Sequence, residues 1–201
     1  MLHATERDTA AHQQQRDAWR TEVATLDPDP LVFVDESGVT CSMTRRYGRA
    51  PKGARVPGAV PLGHWEVTTR IGALARDGVR AQFTVHAATD TEIFQVFVEQ
   101  ILVPGLRPGD VVIWDNLPAH KSAEVSAVLE AAQATLRPLP PYSPDFNPIE
   151  QCWSKMKERL RAAQARTGEA LQAAIQAAFA AVTPQDAVGW FGHCGYKPQT
   201  G

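Results

Sequence analysis

Two acidic residues occupy positions from which they could share a divalent metal ion. Asp35 follows the apolar run 31–34, and Asp115 follows the similar run 111–114. Side chains alternate along a strand, so each acid lies on the strand face of the apolar residue two positions before it. If the two strands are neighbours, both carboxylates stand at one sheet edge, where sites in open α/β sheets collect. Nearby carboxylates repel each other unless a cation separates them, and hard oxygen ligands favour Mg²⁺ or Mn²⁺ over zinc.

A third carboxylate comes from the segment 141–153, PYSPDFNPIEQCW. Asn147 is a good N-cap, Pro148 suits the first helical position, and Glu150 falls in the first turn of the predicted helix. In a second reading, Glu150 folds back onto the helix start as the acid of a capping box. Asp145 precedes the helix start, so we do not expect it at the site.

The pattern around these acids predicts an α/β domain. Apolar, β-branched runs predict buried strands at 31–37 and 111–116, each ending on an acid. Asp-Gly at 77–78 predicts a hairpin between strands within 65–75 and 79–87. Helices are predicted at 89–103, 122–133, 147–163, 168–182 and 184–190, with a short strand at 134–140. This order predicts a mixed sheet with helices on its faces.

Composition favours one soluble domain. The 201 residues are 44% hydrophobic, enough for one core. Residues 1–29 are compatible with one exposed helix and a linker, and we expect the domain to span 30–201. The first thirty residues lack the apolar core of a signal peptide, and the chain lacks a run of about 18 apolar residues, so we expect no membrane partner.

The net charge and the spacing of the cysteines argue against a polycation, a disulfide framework and a zinc site. The net charge of −2 excludes a polycation, so any contact with nucleic acid must come from local basic patches. Cys41, Cys152 and Cys194 are odd in number and widely spaced, so neither a disulfide framework nor a zinc site is predicted. A reducing cytosol fits this usage.

A basic segment follows the first predicted strand. Residues 45–55, RRYGRAPKGAR, combine glycines and a proline with the basic residues Arg45, Arg46, Arg49, Lys52 and Arg55. This composition suits a flexible loop that lies along a DNA backbone, and the alternative is an ordinary solvated loop. A second basic set on the helix after Glu150 is either another phosphate track or a solvated face, and it consists of Lys155, Lys157, Arg159 and Arg161. We expect the core rather than base stacking for Trp65, Trp114, Trp153 and Trp190.

The segments FVDES, WDNLPAH and LPPYSPDFNPIEQCWSKMK together resemble the catalytic domain of Asp-Asp-Glu transposases of the mariner superfamily, in particular the group found in bacterial insertion sequences. The 34 residues between Asp115 and Glu150 match the spacing of that group. The resemblance spans residues 30–195 and implies a ribonuclease-H-like fold, a mixed sheet flanked by helices, with extra C-terminal helices. It also implies that Asp35, Asp115 and Glu150 are catalytic ligands of two Mg²⁺ or Mn²⁺ ions.

The function implied by this resemblance is cleavage of double-stranded DNA at transposon ends and strand transfer into target DNA, by a homodimer in the DNA complex. Asn116 and His120 match the Asp-Asn-x-x-x-His pattern. They either support the metal ligands through a phosphate or water contact, or hold the loop by hydrogen bonds. Lys121 either meets a phosphate or is solvated.

The N-terminal region departs from the family pattern. Thirty residues cannot hold the helix-turn-helix modules that grip the terminal repeats in this superfamily. One expectation is therefore a downstream catalytic product that works with a separately encoded upstream DNA-binding region, in the cytoplasm and on the nucleoid when bound to DNA. The alternative is a non-catalytic remnant, or a regulatory or oligomerising partner of a full-length transposase.

Overall fold

A five-stranded mixed sheet forms the centre of the protein. The computed structural model describes residues 4–63, 65–85, 90–115 and 123–198. The strands are β1 (Leu31–Val39), β2 (Thr68–Ala75), β3 (Gly78–Val85), β4 (Val111–Trp114) and β5 (Thr135–Pro138), in the spatial order β3-β2-β1-β4-β5. β2 is antiparallel to both β1 and β3, whereas β4 is parallel to both β1 and β5. The predicted mixed sheet is confirmed.

The hairpin of β2 and β3 turns where the sequence predicts it. Gly78 has a φ of 127°, a conformation that side-chain-bearing residues rarely adopt, and it follows the turn residue Asp77. β2 begins at Thr68, so the prediction that its strand starts near 65 is wrong by three residues. β3 begins at Gly78, one residue before the predicted start, and the last two residues of its predicted range, 86–87, lie outside the described residues.

Helices cover both faces of the sheet. They are α1 (Ala10–Val23), α2 (Thr91–Phe97), α3 (Ala123–Ala131), α4 (Ile149–Ala163), α5 (Gly168–Ala180) and α6 (Pro184–His193). The single helix predicted at 89–103 is wound differently along its length, since α2 passes into a π-helical turn at Val98–Leu102 and a 3₁₀ turn at Val103–Gly105. Across the described ranges, no helix is long and apolar enough to cross a membrane.

The sheet separates two hydrophobic cores. Leu31 and Phe33 of β1 face a core completed by α1, α4, α5 and α6. Val32 and Val34 face a second core completed by α2 and α3. Alternation along β1 therefore turns Asp35 toward the face that carries α4.

The tryptophans predicted for the core differ in burial. The prediction is confirmed for Trp114 and Trp153, which are both 2% exposed. Trp65 and Trp190 are partly buried, and Trp190 packs against the α4 core. None of the four is a freely exposed aromatic surface, which agrees with a structural role.

Helix α1 packs onto the domain, so the prediction of an exposed helix is wrong for one of its faces. Arg16, Trp19 and Val23 are buried. Their spacing of three and four residues puts them on one stripe, which the polar composition of the segment concealed. The indole of Trp19 donates to the Tyr196 hydroxyl at 3.1 Å, and that hydroxyl donates to the Phe146 carbonyl at 2.8 Å. A division between residues 1–29 and 30–201 stays a prediction.

An ion-pair network closes the end of the sheet where the hairpin turns. Arg80 donates to Asp110 at 2.5 Å, and both side chains are less than a tenth exposed. Arg80 also pairs with Asp77 at 3.1 Å, and Arg107 pairs with Asp77 at 2.7 Å. The network thus links the hairpin to the loop that precedes β4.

Candidate active site

Asp35 and Asp115 lie level with each other at the opposite end of the sheet. The parallel pairing of β1 and β4 ends at Phe33 and Ile113. Asp35 and Asp115 each lie two residues beyond this last pair, and both line one cavity. β4 ends at Trp114, so its predicted end on the acid is wrong by one residue. For β1 the prediction of a strand ending on an acid is wrong, because β2 continues to pair with it as far as Val39.

Glu150 completes a set of carboxyls around one cavity. It lies in the first turn of α4, and it lines a cavity of about 480 Å³ together with Asp35 and Asp115. The remaining wall comes from His12 of α1 and from the loop that precedes α4. The structure therefore brings together the acids that the sequence singles out.

Asn147 does not cap α4, so that prediction is wrong. The N-cap position is held by Pro148, and α4 starts without a side-chain cap, which also disfavours the capping-box reading of Glu150. A 3₁₀ turn at Pro144–Phe146 runs directly into the helix, and Asn147 instead lines the cavity. Its Oδ1 is buried and accepts no hydrogen bond from the described residues.

Burial and mutual repulsion raise the pKa values of two of these acids. Burial is the largest cause that raises the pKa of Asp35 to about 7, and the charges of Glu150 and Asp115 add to it. The groups that lower the pKa of Asp35 are uncharged donors, the Glu36 backbone N–H and the Trp153 indole. Burial also raises the pKa of Glu150, against the lowering effect of Lys157. The cavity thus concentrates negative charge that cationic side chains offset only in part.

Trp153 is a functional-site residue that sequence reasoning missed. Its Nε1 donates to Asp35 Oδ2 at 3.0 Å. The sequence does contain a signal, because Trp153 follows Glu150 by three residues and therefore lies on the same face of α4. Its assignment to the core is right, but its contact with Asp35 depends on the packing of α4 against β1.

The loop before α4 is held in place by Arg16 from α1. The fully buried guanidinium donates to the Tyr142 carbonyl at 3.1 Å, to Ser143 Oγ at 2.7 Å and to Asp145 Oδ2 at 2.6 Å. Burial opposes ionisation of Asp145, but the hydrogen bond and charge of Arg16 hold the pKa of Asp145 below its usual value. Tyr142 has a φ of 54°, in the left-handed region, which agrees with a loop held by external contacts.

His12 also reaches the cavity from α1. Its ring packs against Tyr142 with the centroids 5.2 Å apart, and its Nδ1 lies 2.6 Å from the Glu6 carbonyl oxygen. Sequence reasoning missed His12 because it lies in the segment assigned to a separate, exposed helix. The wall of the cavity is therefore built from both sides of the predicted boundary at residue 30.

The basic residues predicted to meet DNA fall into separate places. Arg45 and Arg46 line a second cavity of about 500 Å³ with Tyr47 and, from α4, Ser154, Glu158, Arg161 and Ala162. Arg49, Lys52 and Arg55 are exposed in the loop between β1 and β2. Asn116, His120 and Lys121 lie outside the described residues.

The second basic set, on α4, does not act as one track. Lys155 forms an ion pair with Asp186. Lys157 interacts electrostatically with Glu150, and Arg161 lines the second cavity with Arg45 and Arg46. Arg159 is exposed. The structure thus directs only part of this set toward the basic loop.

The donor chemistry of the site fits a hard divalent cation. Carboxylates are the ligands that Mg²⁺ and Mn²⁺ prefer, and a cation would relieve the repulsion that raises the pKa of Asp35. The unpaired Oδ1 of Asn147 adds an oxygen acceptor to the same cavity. Among the side chains that the structure describes, no three of His, Cys, Asp or Glu form a compact group ready to hold a metal ion.

The fold and this arrangement define a class of protein. The strand order β3-β2-β1-β4-β5, with β2 alone antiparallel to the other strands and helices on both faces, is that of a ribonuclease-H-like fold, and the acids lie at the end where β1 and β4 diverge. The family described as DDE superfamily endonuclease matches residues 30–172. The chain therefore belongs to the DDE superfamily of endonucleases.

Individual relatives agree with this assignment. The Tcb1 transposase of Caenorhabditis briggsae is 28% identical over 97 residues, which are 46% of this chain and 36% of that protein. The fold matches the Mos1 transposase paired-end complex with left transposon end, with a TM-score of 0.77 and 17% identity, over 96% of this chain and 61% of that one. The Mos1 transposase catalytic domain with raltegravir and Mn matches with a TM-score of 0.72 and 15% identity, over 97% of this chain and 92% of that one. The chain thus spans less than two thirds of the longer relatives, 36% of Tcb1 and 61% of the Mos1 chain in the paired-end complex, and most of that catalytic domain.

Proposed function

We propose that this chain is the catalytic part of a transposase that cleaves DNA at transposon ends and transfers the freed strand into target DNA. The observation that carries the proposal is the convergence of Asp35, Asp115 and Glu150 on one cavity, where the pKa of Asp35 rises to about 7. Acids kept close together without full neutralisation are a mark of functional sites. Membership of the DDE superfamily supports the same conclusion.

The proposed cofactor is a pair of Mg²⁺ or Mn²⁺ ions held by these three carboxylates. When bound, the ions supply an activated water or 3′-hydroxyl and stabilise the leaving oxygen during displacement at phosphorus. The chain's own contribution is to hold the ligands. Trp153 fixes the Asp35 carboxyl, and Arg16 fixes the loop from which α4 presents Glu150. The fold is similar to Mos1 paired-end complexes with Mn and with Mg, which supports this choice of ions.

We propose that DNA approaches the acids along the basic loop. Arg45 and Arg46 share a cavity with Arg161 of α4, so cationic side chains from two elements face one space. Such a cleft suits backbone phosphates, which carry most of the affinity in DNA binding without sequence preference. Arg49, Lys52 and Arg55 extend this loop, whereas contacts from Asn116, His120 and Lys121 stay predictions from the sequence.

The proposed assembly is a homodimer on DNA, working with a DNA-binding region encoded upstream, in the cytoplasm and on the nucleoid. The similarity of fold to a complex with paired transposon ends supports an assembly that holds more than one DNA end. The restriction of the Tcb1 match to 36% of that protein agrees with further segments in such transposases.

Nicking of supercoiled plasmid in Mn²⁺ or Mg²⁺ tests the proposed function. We expect nicking by wild type, none with EDTA, and none by Asp115→Asn. Glu169→Gln, at an exposed acid in the first turn of α5, is the matched control and should nick as wild type does. Nicking that survives in Asp115→Asn would contradict the proposal. Wild type that neither nicks plasmid nor joins pre-cleaved transposon ends to target DNA would favour a non-catalytic partner.

A further inference from the structure

The side chain that fixes Asp35 belongs to the helix that carries Glu150. Trp153 is 2% exposed, and its Nε1 donates to Asp35 Oδ2 at 3.0 Å. A buried indole N–H needs an acceptor, and most folds satisfy it with a backbone carbonyl or a neutral side chain. Here the acceptor is a carboxylate that lines the cavity of the three acids. The hydrogen bond therefore links the helix of one acid to the strand of another.

Gly72 gives the indole its place on the sheet. It pairs with Asp35 across β1 and β2. A Cβ at position 72 would lie 2.8 Å from Trp153 Cη2, closer than carbon atoms approach, and 3.3 Å from Cζ2, a tight contact. The ring thus fills the space that a side chain on β2 would occupy directly beside Asp35. Gly72 is not in the left-handed region, so what it provides here is space.

The other face of the indole is also held. Phe179 of α5 meets Trp153 edge to face, with the ring centroids 5.9 Å apart and an interplanar angle of 81°. Aromatic pairs in this geometry stabilise each other beyond simple burial. Contacts from β2 and α5 therefore leave the indole little freedom to turn its N–H away from Asp35.

We propose that Trp153 is a positioning residue for the metal site, with its indole N–H fixing the orientation in which the Asp35 carboxyl meets a divalent cation. This inference rests on the proposed function. Groups that hydrogen-bond a ligating carboxylate set its direction, and their loss commonly weakens metal binding by about 10–100-fold. A role in core packing alone would need the ring but not the N–H.

Mn²⁺ binding to the full chain, measured by the loss of the free-ion electron paramagnetic resonance signal, separates these roles. Trp153→Phe keeps an aromatic ring beside Phe179 and removes the N–H, and we expect its Mn²⁺ affinity to fall by about 10-fold or more. Trp190→Phe, a partly buried tryptophan of α6, is the matched control and should bind as wild type does. Gly72→Ala keeps every hydrogen-bonding group but displaces the ring, so it should weaken Mn²⁺ binding in the same direction.

The outcomes separate this inference from the proposed function. Wild-type affinity in both Trp153→Phe and Gly72→Ala would overturn the positioning role and leave the metal site standing. Wild type that binds no Mn²⁺ would overturn the proposed function and this inference with it. If Trp153→Phe fails to fold, Gly72→Ala decides. The indole N–H resonance that disappears in Trp153→Phe should also shift in Asp35→Ala, and an unchanged resonance would contradict the hydrogen bond itself.

Discussion

Acidic residues lie in opposite electrostatic environments at the two ends of the central sheet. At the hairpin end, Asp110 and Asp77 are matched with Arg80 and Arg107, and despite some burial the arginines hold the pKa of Asp77 below its usual value. At the other end, acids gather mainly with other acids, and the pKa of Asp35 rises to about 7. Acidic residues therefore stabilise the fold at the hairpin end, whereas the burial of Asp35 lowers the stability of the fold at the other end.

This difference indicates that the acids at the hairpin end serve stability and that the acids at the other end serve function. Pairing each acid with an arginine joins the hairpin to the loop before β4, which is a structural task. Burying the Asp35 carboxyl beside Glu150 and Asp115 costs stability, and a fold retains such a cost where a ligand offsets it. The contrast can be tested by changing one charge at a time at each end.

The largest expected effect is at the acid end. Glu150→Gln should lower strand transfer of pre-cleaved transposon ends by more than about 100-fold, beyond the loss typical of residues that only support a ligand. The fold should persist, because Glu150 is open to solvent at the cavity, whereas its helical neighbours Ile149 and Cys152 carry the packing of this turn. Circular dichroism checks the fold, and strand transfer near the wild-type level would remove Glu150 from the site.

The next effect is on stability at the hairpin end. Arg80→Met leaves the buried carboxylate of Asp110 without its partner, so the free energy of unfolding should fall by about 3–5 kcal/mol in urea titrations. Arg76→Met breaks the more exposed pair with Asp29 and should cost less than about 1 kcal/mol. Equal losses in the two variants would show that burial does not distinguish these pairs.

The clustered acids should make the free energy of unfolding depend on pH. The pKa of Asp35 is higher in the folded chain, about 7, than its ordinary 3.8, so its contribution to stability is present below pH 3.8 and is lost as the pH rises through 7. In EDTA, Asp35→Asn should therefore be more stable than wild type at pH 8, by up to about 4 kcal/mol, with a smaller difference at pH 5.

Urea titrations at the two pH values measure this difference, and Mg²⁺ supplies its control. Addition of Mg²⁺ at pH 8 should stabilise wild type and leave Asp35→Asn unchanged, because only a bound cation offsets the charge. A difference between the two proteins that is the same at pH 5 and pH 8 would contradict the raised pKa of Asp35.

The smallest expected effect concerns DNA affinity. Arg161→Gln removes one cation from the cavity shared with Arg45 and Arg46, and it should reduce the slope of log affinity against log salt by about 1. Arg107→Gln is the matched control, because it removes the same charge from an exposed arginine at the hairpin end of the sheet. Fluorescence anisotropy over a salt series measures the DNA affinity of both variants. An equal change of slope in the two variants would contradict DNA binding at this cavity.

The fold was largely predictable from the sequence because local patterns encode it. The apolar runs before Asp35 and Asp115 predict two strands, which the structure shows to be neighbours, and the helices of the C-terminal half agree with their periodicity to within three residues. The mid-strand position of Asp35 was not predictable, since it depends on β2 pairing further along β1 than β4 does. Local pattern does not report the relative lengths of strands.

The acids of the candidate site could be predicted from the sequence, but the residues that surround them could not. Trp153 and Asp35 are 118 residues apart in the chain, so their hydrogen bond exists only through tertiary packing. Arg16 and His12 lie in a polar segment in which no apolar periodicity marked a buried face. Single-sequence patterns identify which residues carry chemistry, but the residues that support them are chosen by contacts between distant elements.

The anchoring of the cavity loop by Arg16 has a practical consequence for shortening this chain. A fragment that starts at β1 would retain every strand and every candidate ligand and would pass most checks of secondary structure. It would still lack the guanidinium that holds Tyr142, Ser143 and Asp145. A minimal catalytic fragment should therefore begin before α1, since an inactive shorter piece would say nothing about the three acids.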